Sequence, residues 1–257
     1  MSKNPRGKNP LASVQGADRT RTILIQVGVG AVLVALIAAI GISVAVKQSK
    51  KNDPGPTPSV AAQPAAPDAV SGSITDNGAI RIGKPGAKVT VRVVADLQCP
   101  ACQAFEQANG KVLEDAVQAG TAAVEYNVIA FLDKMSSGTR YSSRGANAAY
   151  CVAEADPTKF LPWLSTMYQQ QPPENGTGLT DEQIVQIAQA AGYTDPATAE
   201  CITGDKYDKY VQRTTKDVLD EGIQSTPSVF VNGTAVKSSQ ELMQPDGLRQ
   251  TIEAAAK

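Results

Sequence analysis

The chain has 257 residues, a formal net charge of −1 and no histidine. That length suits one ordinary domain with additions, since a domain commonly takes roughly 100–200 residues. Without histidine, Ser-His-Asp hydrolysis, Cys-His proteolysis and histidine-ligated metal chemistry are excluded together, so the chemistry must rest largely on cysteine or carboxylate.

Residues 23–46 form 24 consecutive uncharged positions, interrupted by only Gln26 and Ser43 among strongly polar types. A bilayer core needs about 20 apolar residues in a helix, so this segment is predicted to be a single transmembrane anchor. The alternative, a cleaved signal peptide, has an apolar region of about 7–15 residues. Lys3, Arg6, Lys8, Arg19 and Arg21 precede the segment, against Lys47, Lys50 and Lys51 just after it. The positive-inside bias assigns residues 1–22 to the cytoplasm and places every cysteine outside, where disulfides persist. The expected location is the cell membrane, single-pass, with the remaining domain extracytoplasmic. Beyond residue 46 the chain has 19 Lys+Arg against 24 Asp+Glu, a net −5 that argues against nucleic acid as a partner.

Residues 47–77 contain Pro54, Pro56, Pro58, Pro64 and Pro67 amid Ala, Ser and Gly, and are read as an extended linker. The domain is expected over 78–257. After a short apolar piece at 79–82, Val89–Ala95 alternates and then becomes continuously apolar, as a strand entering a covered sheet does. It ends at Asp96-Leu97-Gln98. Ala101, Phe105, Ala108, Val112 and Ala116 then mark one face of a helix that Gly120 stops. A second strand follows at 123–132, and strand, helix, strand implies a parallel pair.

From about 134 to 222 the pattern is all-helical. Asp156-Pro157 caps a helix carrying Phe160, Leu161, Leu164, Met167 and Tyr168, and Thr180 with Gln183 has capping-box spacing. Asp195-Pro196 opens a short helix containing Cys201, and Tyr207, Tyr210, Val211, Thr214 and Val218 mark a longer one. Strand chemistry returns at Ser228–Val231, turns at Asn232-Gly233 and pairs back over 234–236. A last helix is expected from Asp246 almost to the C-terminus.

Cys99-Pro100-Ala101-Cys102 is a CxxC motif at the start of a helix, where unpaired backbone N–H groups and the helix dipole stabilise a thiolate. Cys99, before the first turn, is the expected nucleophile, and Cys102 the resolving thiol. Two other readings are half of a zinc site and an inert disulfide. Zinc needs about four ligands, and Cys151 and Cys201 form no second CxxC, so no metal and no other cofactor is expected.

A proline introducing a strand at Ser225-Thr226-Pro227-Ser228-Val229-Phe230-Val231, together with Asp96-Leu97-Gln98-Cys99-Pro100-Ala101-Cys102, resembles the DsbA-like branch of the thioredoxin superfamily. The resemblance implies an α/β thioredoxin-like fold with an inserted all-helical subdomain, here preceded by the N-terminal transmembrane helix. It implies that Pro227 is a cis-proline facing the active site and that the Thr226 backbone pairs with an incoming peptide as an added strand. Pro100 and Ala101 would form the active-site loop. Four cysteines permit three pairings, and those expected are Cys99–Cys102 and a structural Cys151–Cys201. A second redox relay at Cys151 and Cys201 is the alternative.

Two departures from the family stand out. Ala101 occupies the position of a histidine in the well-known DsbA motif, which implies a higher Cys99 pKa and a less oxidising disulfide than in DsbA. Val93 stands where the family keeps a buried acid, six residues before the first cysteine. Asp96 is the nearby carboxylate, and either assists proton transfer at Cys102 or caps the loop. Gln98 is a candidate for contact with substrate backbone.

The resemblance implies an extracytoplasmic thiol-disulfide oxidoreductase that forms disulfides in reduced exported polypeptides and is recharged by a quinone-linked membrane partner of DsbB or VKOR type. The alternatives are a reductase or isomerase of the same fold, as in cytochrome c maturation, and a redox-inactive peptide-binding adaptor. A monomer is expected.

Overall fold

In the computed structural model, residues 26–27, 35–43, 54–60 and 68–257 are described, and the chain divides into two compact units, 1–53 and 54–257. In the first unit, 26–27 and 35–43 are helical. Among the described residues no helix is long and apolar enough to cross a membrane. Much of the expected anchor at 23–46, all of 1–22 and parts of the linker lie outside the described residues.

The second unit is built on a six-stranded mixed sheet with order β1-β2-β4-β3-β5-β6. The strands are β1 Ser71–Ile74, β2 Ile80–Gly83, β3 Val89–Ala95, β4 Ala122–Val128, β5 Ser228–Val231 and β6 Thr234–Ala235. Only β3 and β4 run parallel, joined through α1 Pro100–Ala119. In β3, Val89, Val91 and Val93 are buried while Thr90 and Arg92 are half-exposed. The alternation stops at Val94 because the other face is covered there as well, by Ile129 and Val218. β4 ends at Val128, earlier than expected, because 129–132 leads into a short 3-10 turn at Asp133–Met135.

The helical insertion comprises α2 Tyr141–Ala155, α3 Phe160–Gln169, α4 Asp181–Ala190, α5 Pro196–Thr203 and α6 Asp208–Asp220. Its caps are those the sequence suggests. Asp156 accepts from the Thr158 N–H ahead of α3, Thr180 and Gln183 form a reciprocal capping box on α4, and Asp195 accepts from the Ala197 N–H on α5. The chain closes with α7 Ser239–Met243 and α8 Arg249–Ala255, in place of one continuous helix from Asp246. Asp246 lies in the left-handed region at φ 59°, between the two.

Two parts of the stretch read as linker belong to this unit. β1 pairs antiparallel with β2 despite its polar composition. In 54–60, Pro58 is buried and the Pro54 carbonyl accepts from Arg213 of α6 at 3.3 Å. At the other end, Asn232 and Gly233 both take positive φ, 47° and 79°, as a two-residue hairpin turn requires. Asn232 Oδ1 also accepts from the Thr90 N–H at 2.8 Å, tying the turn to β3.

Candidate active site

β3 ends at Ala95, and the loop Asp96–Gln98 delivers Cys99 to the N-cap of α1. Pro100 occupies the first turn, where its missing N–H is no loss. The Cys99 side chain makes no capping bond, so its sulfur is left to chemistry, while its carbonyl accepts from the N–H groups of Cys102 at 3.0 Å and Gln103 at 3.1 Å. Gln171 secures the loop from outside, its side-chain amide donating to the carbonyls of Leu97 and Cys99 at 2.9 and 3.0 Å.

The two thiols differ sharply. Cys99 is 7% exposed and Cys102 only 1%. Hydrogen bonding from the Cys102 thiol, helped by Thr226 and by the N–H groups of Cys102 and Ala101, overcomes partial burial and lowers Cys99 to about 6. Burial pushes Cys102 well above the usual thiol range. The helix N-terminus therefore contributes to Cys99 activation, but the neighbouring thiol contributes most. Ala101 is half-buried and Pro100 exposed, so the loop presents no charged side chain between the cysteines.

Thr226 and Pro227, far along the chain, meet this site. The Thr226–Pro227 peptide bond is cis, and the Cys99 thiol donates to the Thr226 carbonyl at 3.3 Å. Both residues are half-buried, leaving them within reach of an incoming chain. Asp96 is fully buried, and its carboxylate accepts from the N–H groups of Gln98 and Leu132 and from the Ser142 hydroxyl, each at 2.8 Å. Burial outweighs these bonds and raises Asp96 to about 6. Its bonds are those of a loop cap. Gln98 is fully buried too, donating to the Met135 carbonyl and accepting from Ser136, both at 2.8 Å. It fastens the 132–136 loop and is not presented to a substrate.

Cys151 and Cys201 stand apart from this site, joined in a disulfide between α2 and α5 with a Cα–Cα distance of 5.8 Å. They are 2% and 8% exposed, and a cleft of about 520 Å³ lined by Glu154, Asp195, Glu200 and Lys206 adjoins them. Asn147 reinforces the junction by donating to the Ile202 carbonyl at 3.1 Å and accepting from the Tyr207 N–H at 2.8 Å. Among the described residues no cluster of Cys, Asp or Glu could hold a metal ion.

A thioredoxin family model matches residues 75–254, which spans both Cys99–Cys102 and the cis-proline. The chain belongs to the thioredoxin family. Its DsbA-like character is evident in the solved relatives. The reduced form of a disulfide bond oxidoreductase (DsbG) from Mycobacterium tuberculosis is 29% identical, with TM-score 0.59 and coverage of 74% of this chain and 89% of that one. Disulfide bond formation protein D of Bacillus subtilis is 26% identical, covering 74% of this chain and 82% of the relative. The serine/threonine-protein kinase PknE of Mycobacterium tuberculosis is 32% identical over 139 residues, 52% of this chain but only 24% of the kinase.

Within this thioredoxin fold, sequence reasoning did not place Glu106, Tyr126 and Tyr168 beside the site, where both tyrosines interact with Cys102 and Glu106. The apolar spacing suggested that Ala101 and Ala108 lie on the inner face of α1. Phe105, Val112 and Ala116 are buried as that spacing suggested, Ala101 and Ala108 are half-buried, and the buried face extends to Cys102, Glu106, Asn109, Leu113 and Val117, carrying two polar side chains inward. The position of Glu106 four residues after Cys102 was the available signal.

Proposed function

We propose that the chain is an extracytoplasmic thiol-disulfide oxidoreductase that passes a disulfide from Cys99–Cys102 to reduced exported polypeptides. The carrying observation is the asymmetry of the pair: Cys99 lies at the helix N-cap with its thiol lowered to about 6, facing the Thr226 carbonyl, while Cys102 is buried and raised. A substrate thiolate attacks Cys99 Sγ, and the Cys99–Cys102 bond breaks. The substrate's second thiolate then attacks its own sulfur in the mixed disulfide and expels the Cys99 thiolate, a good leaving group because its pKa is low. Thr226 and Pro227 supply the edge along which the substrate backbone aligns.

The names of the solved relatives support the reaction class, and the uncharged stretch at 23–46 supports a membrane anchor with the domain outside the cytoplasm. Recharging then falls to a quinone-linked membrane partner of DsbB or VKOR type, and the enzyme acts as a monomer. Protease protection of the tagged N-terminus in sealed membrane vesicles tests the topology. Glutathione equilibration of the chain tests the direction. A potential above roughly −200 mV supports the oxidase, one near or below roughly −270 mV would make it a reductase, and no exchange at all would leave an adaptor.

A further inference from the structure

Three carbonyls of the loop that carries Cys99, those of Asp96, Leu97 and Cys99, turn to the C-terminal end of α3. The Tyr168 hydroxyl donates to the Asp96 carbonyl at 3.4 Å, and the Gln171 amide reaches Leu97 and Cys99. In return the Gln103 side chain of α1 donates to the Tyr168 carbonyl at 2.7 Å. The loop is thus held from the helical insertion, by partners separated from it by 65 to 74 residues of sequence.

Within this set Gln171 is the residue that touches Cys99. Its own N–H donates to the Tyr168 carbonyl at 3.2 Å, which fixes its backbone to the last turn of α3. The segment after it is pinned in turn, since the hydroxyls of Ser137 and Thr139 donate to the carbonyls of Asn175 and Thr177 at 2.7 and 2.6 Å. The Gln171 side chain is half-buried and meets two acceptors, so only its NH2 end fits and both N–H bonds are used. The Cys99 carbonyl already accepts from the N–H groups of Cys102 and Gln103, and the amide is a third donor to it. Each donor draws charge from a dipole whose negative end lies a few bonds from Cys99 Sγ, and so favours a thiolate there.

We propose that Gln171 is a positioning residue for exchange, fixing the Leu97 and Cys99 carbonyls so that Cys99 Sγ stays at the N-terminus of α1 and in front of Thr226. The inference rests on the exchange reading above and goes beyond it by giving the insertion a part in the reactivity of Cys99. Without the amide, a less neutralised carbonyl dipole lies beside the sulfur, and the loop slackens its hold against the N–H groups of Ala101 and Cys102. Both effects disfavour the thiolate, so Cys99 becomes a poorer leaving group and its disulfide with Cys102 a weaker oxidant.

The titratable groups that act on Cys99 are Cys102 on α1 and Asp96 in the loop. From α3 comes Tyr168, which burial holds well above the usual phenol range, and the Thr226–Pro227 segment is uncharged. Substitution at 171 leaves each of these in place.

The test follows the ultraviolet absorbance of the Cys99 thiolate against pH in the reduced full chain, with the Cys99–Cys102 equilibrium against glutathione as a second readout. Gln171→Met keeps the length of the side chain and loses its donors. Its midpoint is expected to rise by about one pH unit, and its equilibrium at pH 7 to move about fivefold toward the disulfide, or about 20 mV. Gln171→Asn, which keeps the amide but draws it back by one carbon, is expected to shift both in the same direction and carries the test if Gln171→Met folds poorly. Gln103→Leu removes the other amide bridge between α1 and α3 without touching a loop carbonyl. It is expected to lower the urea midpoint while leaving the titration within about 0.2 pH unit. An unchanged titration and equilibrium in the folded Gln171 variants, or an equal shift in Gln103→Leu, overturns the positioning role. Failure of the unsubstituted chain to exchange with glutathione overturns the exchange reading itself.

Discussion

Cys99 and Cys102 lie across the first turn of a single helix, whereas Cys151 and Cys201 join two helices of the insertion across 50 residues of sequence. Each pair is largely buried, so burial alone does not separate them. What differs is the surroundings. Cys99 has N–H groups, a second thiol and the Thr226 side chain around its sulfur, all of which favour its charged form. The Cys151–Cys201 bond sits where its main effect is to close a long loop already stitched by Asn147. Reactivity in this fold follows from the donors that surround a sulfur, the neighbouring thiol first and the helix N–H groups after it, and stabilisation from how much chain the disulfide closes.

The largest expected contrast comes from breaking each pair in turn. Cys99→Ser is expected to lower disulfide transfer to a reduced, unfolded protein by at least about a thousandfold, since the attacked atom is gone. Cys151→Ser combined with Cys201→Ser is expected to leave that rate within about twofold. A loss of transfer in the double variant would show that the second pair takes part in exchange.

Stability reverses the ranking. Opening a loop of 50 residues costs about 4 kcal/mol on the chain-entropy account, measurable as a lower urea midpoint for the double variant. Its Cys99–Cys102 potential is expected to stay unchanged within about 10 mV, roughly 0.5 kcal/mol for this two-electron couple.

A subtler contrast is in pH dependence. Cys99 is depressed to about 6 from 9.0, so ionisation favours the folded dithiol above the folded value. The contribution is fully present above about 9 and disappears as pH falls through about 6, amounting to roughly 1 kcal/mol at pH 7 and 3 kcal/mol at pH 8. Between pH 6 and 8 the reduced chain is expected to gain this much over Cys99→Ser in parallel denaturation, a comparison that cancels the opposing loss from Asp96 and Glu106, which burial raises to about 6 and 7. The smallest effect is Thr180→Ala, which breaks the capping box of α4 and is expected to cost about 1 kcal/mol while leaving exchange untouched.

The same contrast explains what was legible in the sequence. Strand β3, the CxxC motif, the Gly120 stop, the three helix caps of the insertion and the Asn232-Gly233 turn are local signals, each contained in a few neighbouring residues. β1 was hidden because Ser71-Gly72-Ser73 has little strand propensity and is a strand only through its pairing with β2. Gln98 and Asp96 were ambiguous for a similar reason: their partners Met135, Ser136, Leu132 and Ser142 lie 36 to 46 residues away. The inner face of α1 was legible at Phe105, Val112 and Ala116 but read too narrowly, because a buried Glu106 and Asn109 look, in sequence, like solvent-facing residues.

Gly110 sits near the middle of a 20-residue helix, where glycine costs roughly 1 kcal/mol relative to alanine. Its missing side chain is the space in which the Glu106 carboxyl lies. A side chain at 110 therefore has to displace the end of the Glu106 side chain. Alanine at 110 gains its helix propensity in full only once 106 is small, and gives part of it back to moving the carboxyl while 106 is glutamate, so the size of one substitution's effect depends on the other. Such epistasis orders the changes, with 106 shortened first and alanine at 110 following.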